Sequence, residues 1–338
     1  MPDVKPSCTF STIHIPWPWM RQTDDGNGSM PGCRILLNKE EPDTYWLAVF
    51  DEPLSCTVTQ VPKERRVLFI TEPPEVKPYT ASYLRQFGTI ISPFGIRSIL
   101  LGTVHVENSC LNWHYGVETA DATYSSVMTS LSELQAMPVP NKDKVLSVIC
   151  STKTYTEAQR KRITFVERLQ NRLGSKVDIY GRGRNPISDK QTAIAPYKYH
   201  LVLENNYCDY FWTEKLSDAW LGYAYPIYLG ASNIERCCPP GGLLTLQPDS
   251  DEANLMAIER LLQDDPWERC LPAIRECRRW VLETTNVFAR VDRLIQEAAP
   301  YIRAVPNLDK PVPLRQSNRW QRALLRRAMR FGLYNPFA

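Results

Sequence analysis

From Val145 onward the chain alternates two hydrophobic periods, and this alternation limits its fold more than any other feature. Val145–Cys150 is a continuous apolar run of strand type. Glu157–Leu173 carries Ile163, Val166 and Leu169 at helical spacing and stops at Gly174. Lys176–Tyr180 predicts a strand that ends at Gly181-Arg182-Gly183. Tyr199–Leu203 predicts a strand, Glu214–Tyr223 a helix and Pro226–Leu229 a strand, followed by helices over Ala253–Leu262 and Trp267–Thr284. Strands that alternate with helices must pair in parallel, because each helix carries the chain back across the sheet. Ligands of such sheets bind beyond the carboxyl ends of the strands, where helix N-termini offer free N–H groups. That predicts sites near Ser151–Glu157, Gly181–Asn185, Glu204–Glu214 and Gly230–Asn233.

Before this region, short β-branched and aromatic runs predict strands at Thr9–Ile15, Tyr45–Phe50, Arg66–Thr71, Thr89–Ser92 and Ile99–Val106, with a short helix within Pro78–Gln86. The polar, proline-bearing stretch 137–144 reads as a linker. A chain of 338 residues suits two domains, so the expected division is 1–140, 141–305 and a tail at 306–338. A hydrophobic share of 43% with 23% charged residues excludes disorder, and a net charge of +3 excludes a polyanion partner for the whole chain, so no nucleic acid is expected. No apolar run approaches a membrane span, and Met1-Pro2-Asp3-Val4-Lys5 lacks the apolar stretch of an export signal. The ten cysteines are therefore read as reduced thiols in a cytoplasmic protein. The same chain deprived of a native anchor would suit the Golgi lumen. The four histidines show no ligand spacing, so no metal is expected.

The densest chemical signal is Tyr197–Gly230. A strand ends at Glu204-Asn205, a loop follows, and Thr213 can cap a helix that opens with Glu214-Lys215. A helix N-terminus with a lysine in its first turn suits a diphosphate, and Glu214 and Asn205 can bind ribose hydroxyls. The same residues also make an ordinary capped helix with solvated charges.

The segment resembles the donor-binding motif of the α1,3/α1,4-fucosyltransferase family, glycosyltransferase family 10. The match covers Tyr197, Lys198, Glu204, Asn205, Thr213, Glu214, Lys215, Pro226 and Gly230. Phe211 stands where the family has Tyr, with Tyr210 one residue earlier, and Leu203 replaces Phe. The family's Arg-x-x-Phe/Tyr helix element is matched by Arg162-Ile163-Thr164-Phe165. The resemblance implies two Rossmann-like α/β domains facing a cleft, the GT-B type. It implies an inverting transfer of L-fucose from GDP-fucose to an oligosaccharide or glycolipid acceptor, in α1,3 linkage to a GlcNAc- or Glc-type residue. Arg162, Asn205, Tyr210, Phe211, Glu214 and Lys215 would hold the donor, with Arg182 and Arg184 as weaker candidates. No cofactor is required, although a divalent cation can assist departure of the diphosphate. Another GDP-sugar on the same fold, and a non-catalytic sugar-nucleotide or glycan-binding protein, are the rival readings.

A nucleoside diphosphate leaves as a stable anion and needs positive charge rather than a general acid, whereas the acceptor hydroxyl needs a base. Glu72, which ends a strand and precedes Pro73-Pro74, is the expected base from its likeness to the family's glutamate; Glu75 and Asp51 are alternatives. Asp249-Ser250-Asp251 resembles a metal-binding Asp-x-Asp, but it precedes a helix and reads more simply as a cap. Trp113 and Tyr115 are candidates to stack on an acceptor sugar or to fill a core, and His114 is a minor candidate base. In the tail, Trp320, Ala323, Leu324, Ala328 and Phe331 share one helical face and Arg319, Arg322, Arg326 and Arg330 another. This predicts either attachment of residues 316–338 to an anionic membrane surface, or a helix packed back with its basic face solvated.

Overall fold

The computed structural model describes residues 5–330 except 56, 75, 97–101, 121–122, 153–156, 303–305 and 317–318. Glu75 and Phe331, both named above, lie outside the described residues. The chain forms two compact units: Met1–Leu111 with Asn286–Ala338, and Asn112–Thr285.

The second unit is built on an all-parallel five-stranded sheet in the order Val177–Tyr180, Lys144–Ile149, Tyr197–Leu203, Tyr225–Leu229, Leu244–Thr245. The near-continuous apolar character of Tyr197–Leu203 and Tyr225–Leu229 follows from burial on both faces. The helix Glu157–Leu173 runs over the predicted span and turns at Gly174, whose φ of +59° favours glycine. It buries Phe165, Val166 and Leu169 against the sheet, each contributing roughly 1.5–3 kcal/mol of hydrophobic stabilisation. The helix Glu214–Leu221 buries Leu216, Ala219 and Trp220, and the Trp220 indole donates to the Gly242 carbonyl at 2.9 Å.

The first unit holds an all-parallel six-stranded sheet, ordered Arg34–Leu37, Ser7–Thr12, Thr44–Phe50, Arg66–Phe69, Thr89–Ser92, Thr103–Val106. Its aromatic centre joins Phe10, Trp19 and Phe50 to Phe288 from the helix Val287–Ile302. In both sheets the strand that is first in the chain lies between the second and the third. Strand order therefore reverses between the first and third strands, which is where open α/β sheets leave a crevice at the carboxyl ends.

The units do not follow the expected division at 1–140, 141–305 and 306–338. Residues 112–140 belong to the second unit because Trp113, Tyr115, Leu131 and Leu134 are buried in its core. Residues 286–305 return to the first unit because the apolar stripe of Val287–Ile302 covers its sheet. The terminal helix Arg319–Arg330 is turned the other way from a helix packed by its apolar stripe. Arg322 bonds Glu52 at 3.1 Å, while Trp320 and Leu324 are 82% and 68% exposed. Among the described residues no helix is long and apolar enough to cross a membrane.

Candidate active site

In the second unit the strand reversal lies between Lys144–Ile149 and Tyr197–Leu203. A cavity of about 180 Å³ opens there, lined by Ser151, Arg162, Lys190, His200, Glu214 and Lys215 among others. A second cavity of about 560 Å³ is lined by His114, Gly181, Arg182, Ser188 and Lys190, and shares Ile149 and Lys190 with the first. The first alone is smaller than the ~300–1,000 Å³ that small-molecule ligands occupy; the two together fall within that range.

Thr213 caps the Glu214–Leu221 helix as the sequence predicts. Its own N–H and hydroxyl are held by Glu204, at 2.7 and 2.9 Å, where the Tyr197–Leu203 strand ends. The Lys215 ammonium donates to Glu204 at 2.9 Å and to the Thr213 hydroxyl at 2.9 Å. Burial works against the Lys215 charge, but the Glu214 and Glu204 carboxylates overcome it and raise its pKa above the ordinary lysine value. Lys215 is thus a fixed cation at a helix N-terminus, which is what a diphosphate requires.

Glu214 turns to Lys190 at 3.2 Å. Burial would raise its carboxyl, yet the charges of Lys190, Lys215 and His114 hold it well below the ordinary value. Glu214 therefore offers an ionised acceptor to hydroxyl groups. On the facing helix Arg162 donates to the Asn205 side chain at 2.7 Å. Its Nε is buried and has no hydrogen-bond partner among the described residues. The neighbouring Lys161 pairs instead with Asp249 at 3.0 Å. The basic cluster therefore splits, with Arg162 lining the cavity and Lys161 on the surface.

Arg162, Glu214 and Lys215 meet in the first cavity. Asn205 joins them through Arg162. Tyr210 sits in a left-handed turn at φ +59°, with its N–H on Asn233 at 2.8 Å. Phe211 is buried at 7% exposure, so its ring is wall rather than polar contact. Arg182 lines the second cavity, and Arg184 pairs with Glu167 at 3.3 Å. Gly230 is required by close approach: an added Cβ would run into the Tyr228 hydroxyl and come within 2.7 Å of Glu204 Cγ.

Trp113 and Tyr115 are not acceptor platforms. Both are 0% exposed in the core of the second unit and have no face open to a sugar. Asp251 pairs with Arg168 at 2.8 Å and opens the helix Asp251–Asp264. Burial and the Lys190 charge lower the pKa of His114. His200, bonded to Ser147 at 2.7 Å, is pushed down to about 3 by burial and stays neutral.

In the first unit Glu72 is exposed just beyond the Arg66–Phe69 strand. Partial desolvation and the Asp51 carboxylate raise its pKa, against the pull of Lys77 and His14. Asp51, the alternative base, is buried with φ +68° and fully engaged. It accepts from Lys77 at 2.7 Å and Tyr79 at 2.6 Å, and its other oxygen lies 3.4 Å from His14. Burial works to raise Asp51, but these partners win and lower it. The two neighbouring carboxylates are thus pushed in opposite directions, Glu72 up and Asp51 down.

Lys190, Asp218 and the holding role of Glu204 do not emerge from local reading. One signal was available: Asp218 follows Glu214 by four residues, so two carboxylates share a helix face and call for a cation opposite.

Residues 139–267 match the family profile described as "Glycosyltransferase family 10 (fucosyltransferase) C-term". The chain is 35% identical over 88 residues to human 4-galactosyl-N-acetylglucosaminide 3-alpha-L-fucosyltransferase FUT6, covering 25% of this chain and 24% of the relative. It spans about a quarter of the length of the curated relatives it matches. A solved alpha1,3-fucosyltransferase aligns over 92% of this chain and 94% of its own, with TM-score 0.51 and 14% identity. A crystal structure of alpha1,3-fucosyltransferase with GDP-fucose aligns over 92% of this chain and 95% of its own, with TM-score 0.50 and 15% identity. These two likenesses are of fold alone, and the fold is GT-B, as the resemblance implied. The Tyr197–Gly230 motif lies wholly inside the matched segment, so the likeness to the glycosyltransferase family 10 (fucosyltransferase) C-terminal domain rests on residues 139–267.

Proposed function

We propose that this protein is an inverting glycosyltransferase that moves L-fucose from GDP-fucose to a hydroxyl of an acceptor glycan, in α1,3 linkage to a GlcNAc- or Glc-type residue. One observation carries the reading: Arg162 and Lys215 converge on a cavity at the strand reversal, above a capped helix N-terminus, with ionised Glu214 beside them. The cations stabilise the departing diphosphate, Glu214 takes hydroxyls of the donor, and Glu72 accepts the proton of the acceptor hydroxyl. The donor identity and the linkage draw support from the related enzymes named above, one of them solved with GDP-fucose.

Calorimetry with GDP-fucose, GDP-mannose and UDP-galactose tests this. The wild type should prefer GDP-fucose, and Lys215→Ala should bind it at least about tenfold more weakly, from loss of a charge-assisted contact. Equal or absent binding of all three sugars by the wild type would remove the fucosyltransferase reading.

The reading extends to the tail: a cytoplasmic enzyme held peripherally on an anionic membrane. The exposed Trp320 and Leu324, flanked by Arg326 and Arg327, support it. Full-length protein should sediment with vesicles containing phosphatidylserine, and a chain ending at residue 315 should not. A full-length protein that ignores such vesicles rules out the attachment.

A further inference from the structure

We propose that Lys190 is a positioning residue of the donor site, one that keeps the Glu214 carboxylate ionised and aimed into the cavity. The inference rests on the donor-site reading above and names a residue outside the motif that carries that reading.

The Lys190 backbone is fixed on both sides. The preceding Asp189 accepts from Gln191 N–H at 2.8 Å and from Gly116 N–H at 3.0 Å, which ties the turn to the 114–116 segment. From there the ammonium reaches Glu214 at 3.2 Å and Asp218 at 2.7 Å. Those carboxylates stand one helical turn apart on the same helix, where like charges repel. Asp218 is wholly buried, and one of its oxygens already accepts from the His114 and Tyr115 N–H groups at 2.8 and 2.9 Å. Its other oxygen and Glu214 share Lys190.

The groups that face Glu214 are Lys190, Lys215, His114 and Asp218, with Glu204 behind Lys215. Lys215 is itself bonded to Glu204. His114 has a lowered pKa and cannot replace the cation. Without Lys190, Glu214 and Glu204 would share Lys215, and one oxygen of buried Asp218 would lose its cation. Burial would then drive Glu214 toward its protonated form, and excess negative charge would remain where a diphosphate must sit. Lys190 also lies on the wall common to both cavities, so its loss alters the site at its centre.

Lys190→Met, Lys190→Arg, Glu214→Gln and Lys190→Met/Glu214→Gln form the test. Lys190→Met should weaken GDP-fucose at least about 30-fold in calorimetry at neutral pH, the effect of truncating one partner of a buried charge pair. In the Glu214→Gln background the same change should cost less than about threefold, and Lys190→Arg should restore most of the affinity.

A ligand-free measurement accompanies it. The Glu214 carboxyl is depressed in the folded state, so it contributes stability above its unfolded pKa of about 4.3 that is lost as pH falls through the folded value. The rise of the unfolding temperature between about pH 3.5 and 6 should therefore shrink in Lys190→Met, shrink in Glu214→Gln, and shrink no further in the double variant. If Lys190→Met lowers the unfolding temperature equally at every pH, or weakens GDP-fucose equally in both backgrounds, Lys190 acts only as a strut and the proposal falls. A wild type that binds no GDP-fucose removes the donor reading, and the pH series alone then decides whether Lys190 governs Glu214.

Discussion

Replacing Glu72 by Gln should lower turnover by about 10²–10⁴-fold, the usual contribution of a positioned general base, while GDP-fucose affinity stays within about twofold. The amide keeps the shape and the hydrogen-bonding reach of the carboxylate but cannot accept a proton. Every residue that lines the two cavities of the proposed donor site belongs to the second unit, whereas Glu72 belongs to the first, so donor binding should not register the change. A base at Glu72, as proposed, must be ionised to act, and the Glu72 pKa is raised above the ordinary 4.5 by desolvation and by Asp51. Activity should thus be full above this raised value and fall as pH drops through it, giving an acidic limb in kcat/KM above that of an ordinary glutamate. Asp51→Asn should move that limb downward, because it removes a like charge near Glu72. Unchanged turnover in Glu72→Gln would mean that the proton leaves by another route.

Glu204→Ala is the second large effect. Its side chain is fully buried and accepts from the Thr213 backbone, the Thr213 hydroxyl and Lys215 together. Truncation leaves the Lys215 ammonium with the Thr213 hydroxyl but without its carboxylate, and removes the acceptor of the Thr213 N–H; breaking a buried pair in this way costs about 3–5 kcal/mol. In a unit of this size that corresponds to a fall of roughly 10 °C in unfolding temperature. GDP-fucose binding should be lost as well, because Lys215 would swing toward Glu214 and neutralise it. Glu204→Gln should fall between, since one amide oxygen can serve Thr213 while the amide nitrogen faces Lys215. Thermal unfolding with calorimetry on the same samples separates the two consequences. An Ala variant as stable as the wild type would show that the cap holds without Glu204.

The alternating periods of the second half were legible because each element is defined by its own neighbours. Ile163, Val166 and Leu169 identify their helix without reference to anything distant, and the Thr213-Glu214-Lys215 cap is read over three positions. The division of the chain was not legible in the same way. The proline-bearing stretch near 137–144 looks like a linker, yet Met137 and Val139 pack against the core of the second unit. The real crossing falls beside Asn112, where composition does not change. The helix Val287–Ile302 has a plain apolar stripe, but nothing local states which sheet that stripe covers. The site divides along the same line. Arg162 and Lys215 belong to short patterns, whereas the Lys190–Glu214 and Lys190–Asp218 pairs join residues 24 and 28 positions apart, and such pairing leaves no periodic trace.

The chain enters the second unit at Asn112 and leaves it at Thr285, so that unit is one uninterrupted insertion and the first unit is split around it. On a ribosome this reverses the usual order, in which N-terminal domains finish first. The second unit has all its strands and helices once Thr285 has emerged. The unit that contains Glu72 must wait, because Phe10 and Trp19 find Phe288 only after the insertion has been made. An early stop that spares the whole second unit therefore exposes the aromatic centre of the other unit, and chaperone dependence should concentrate there.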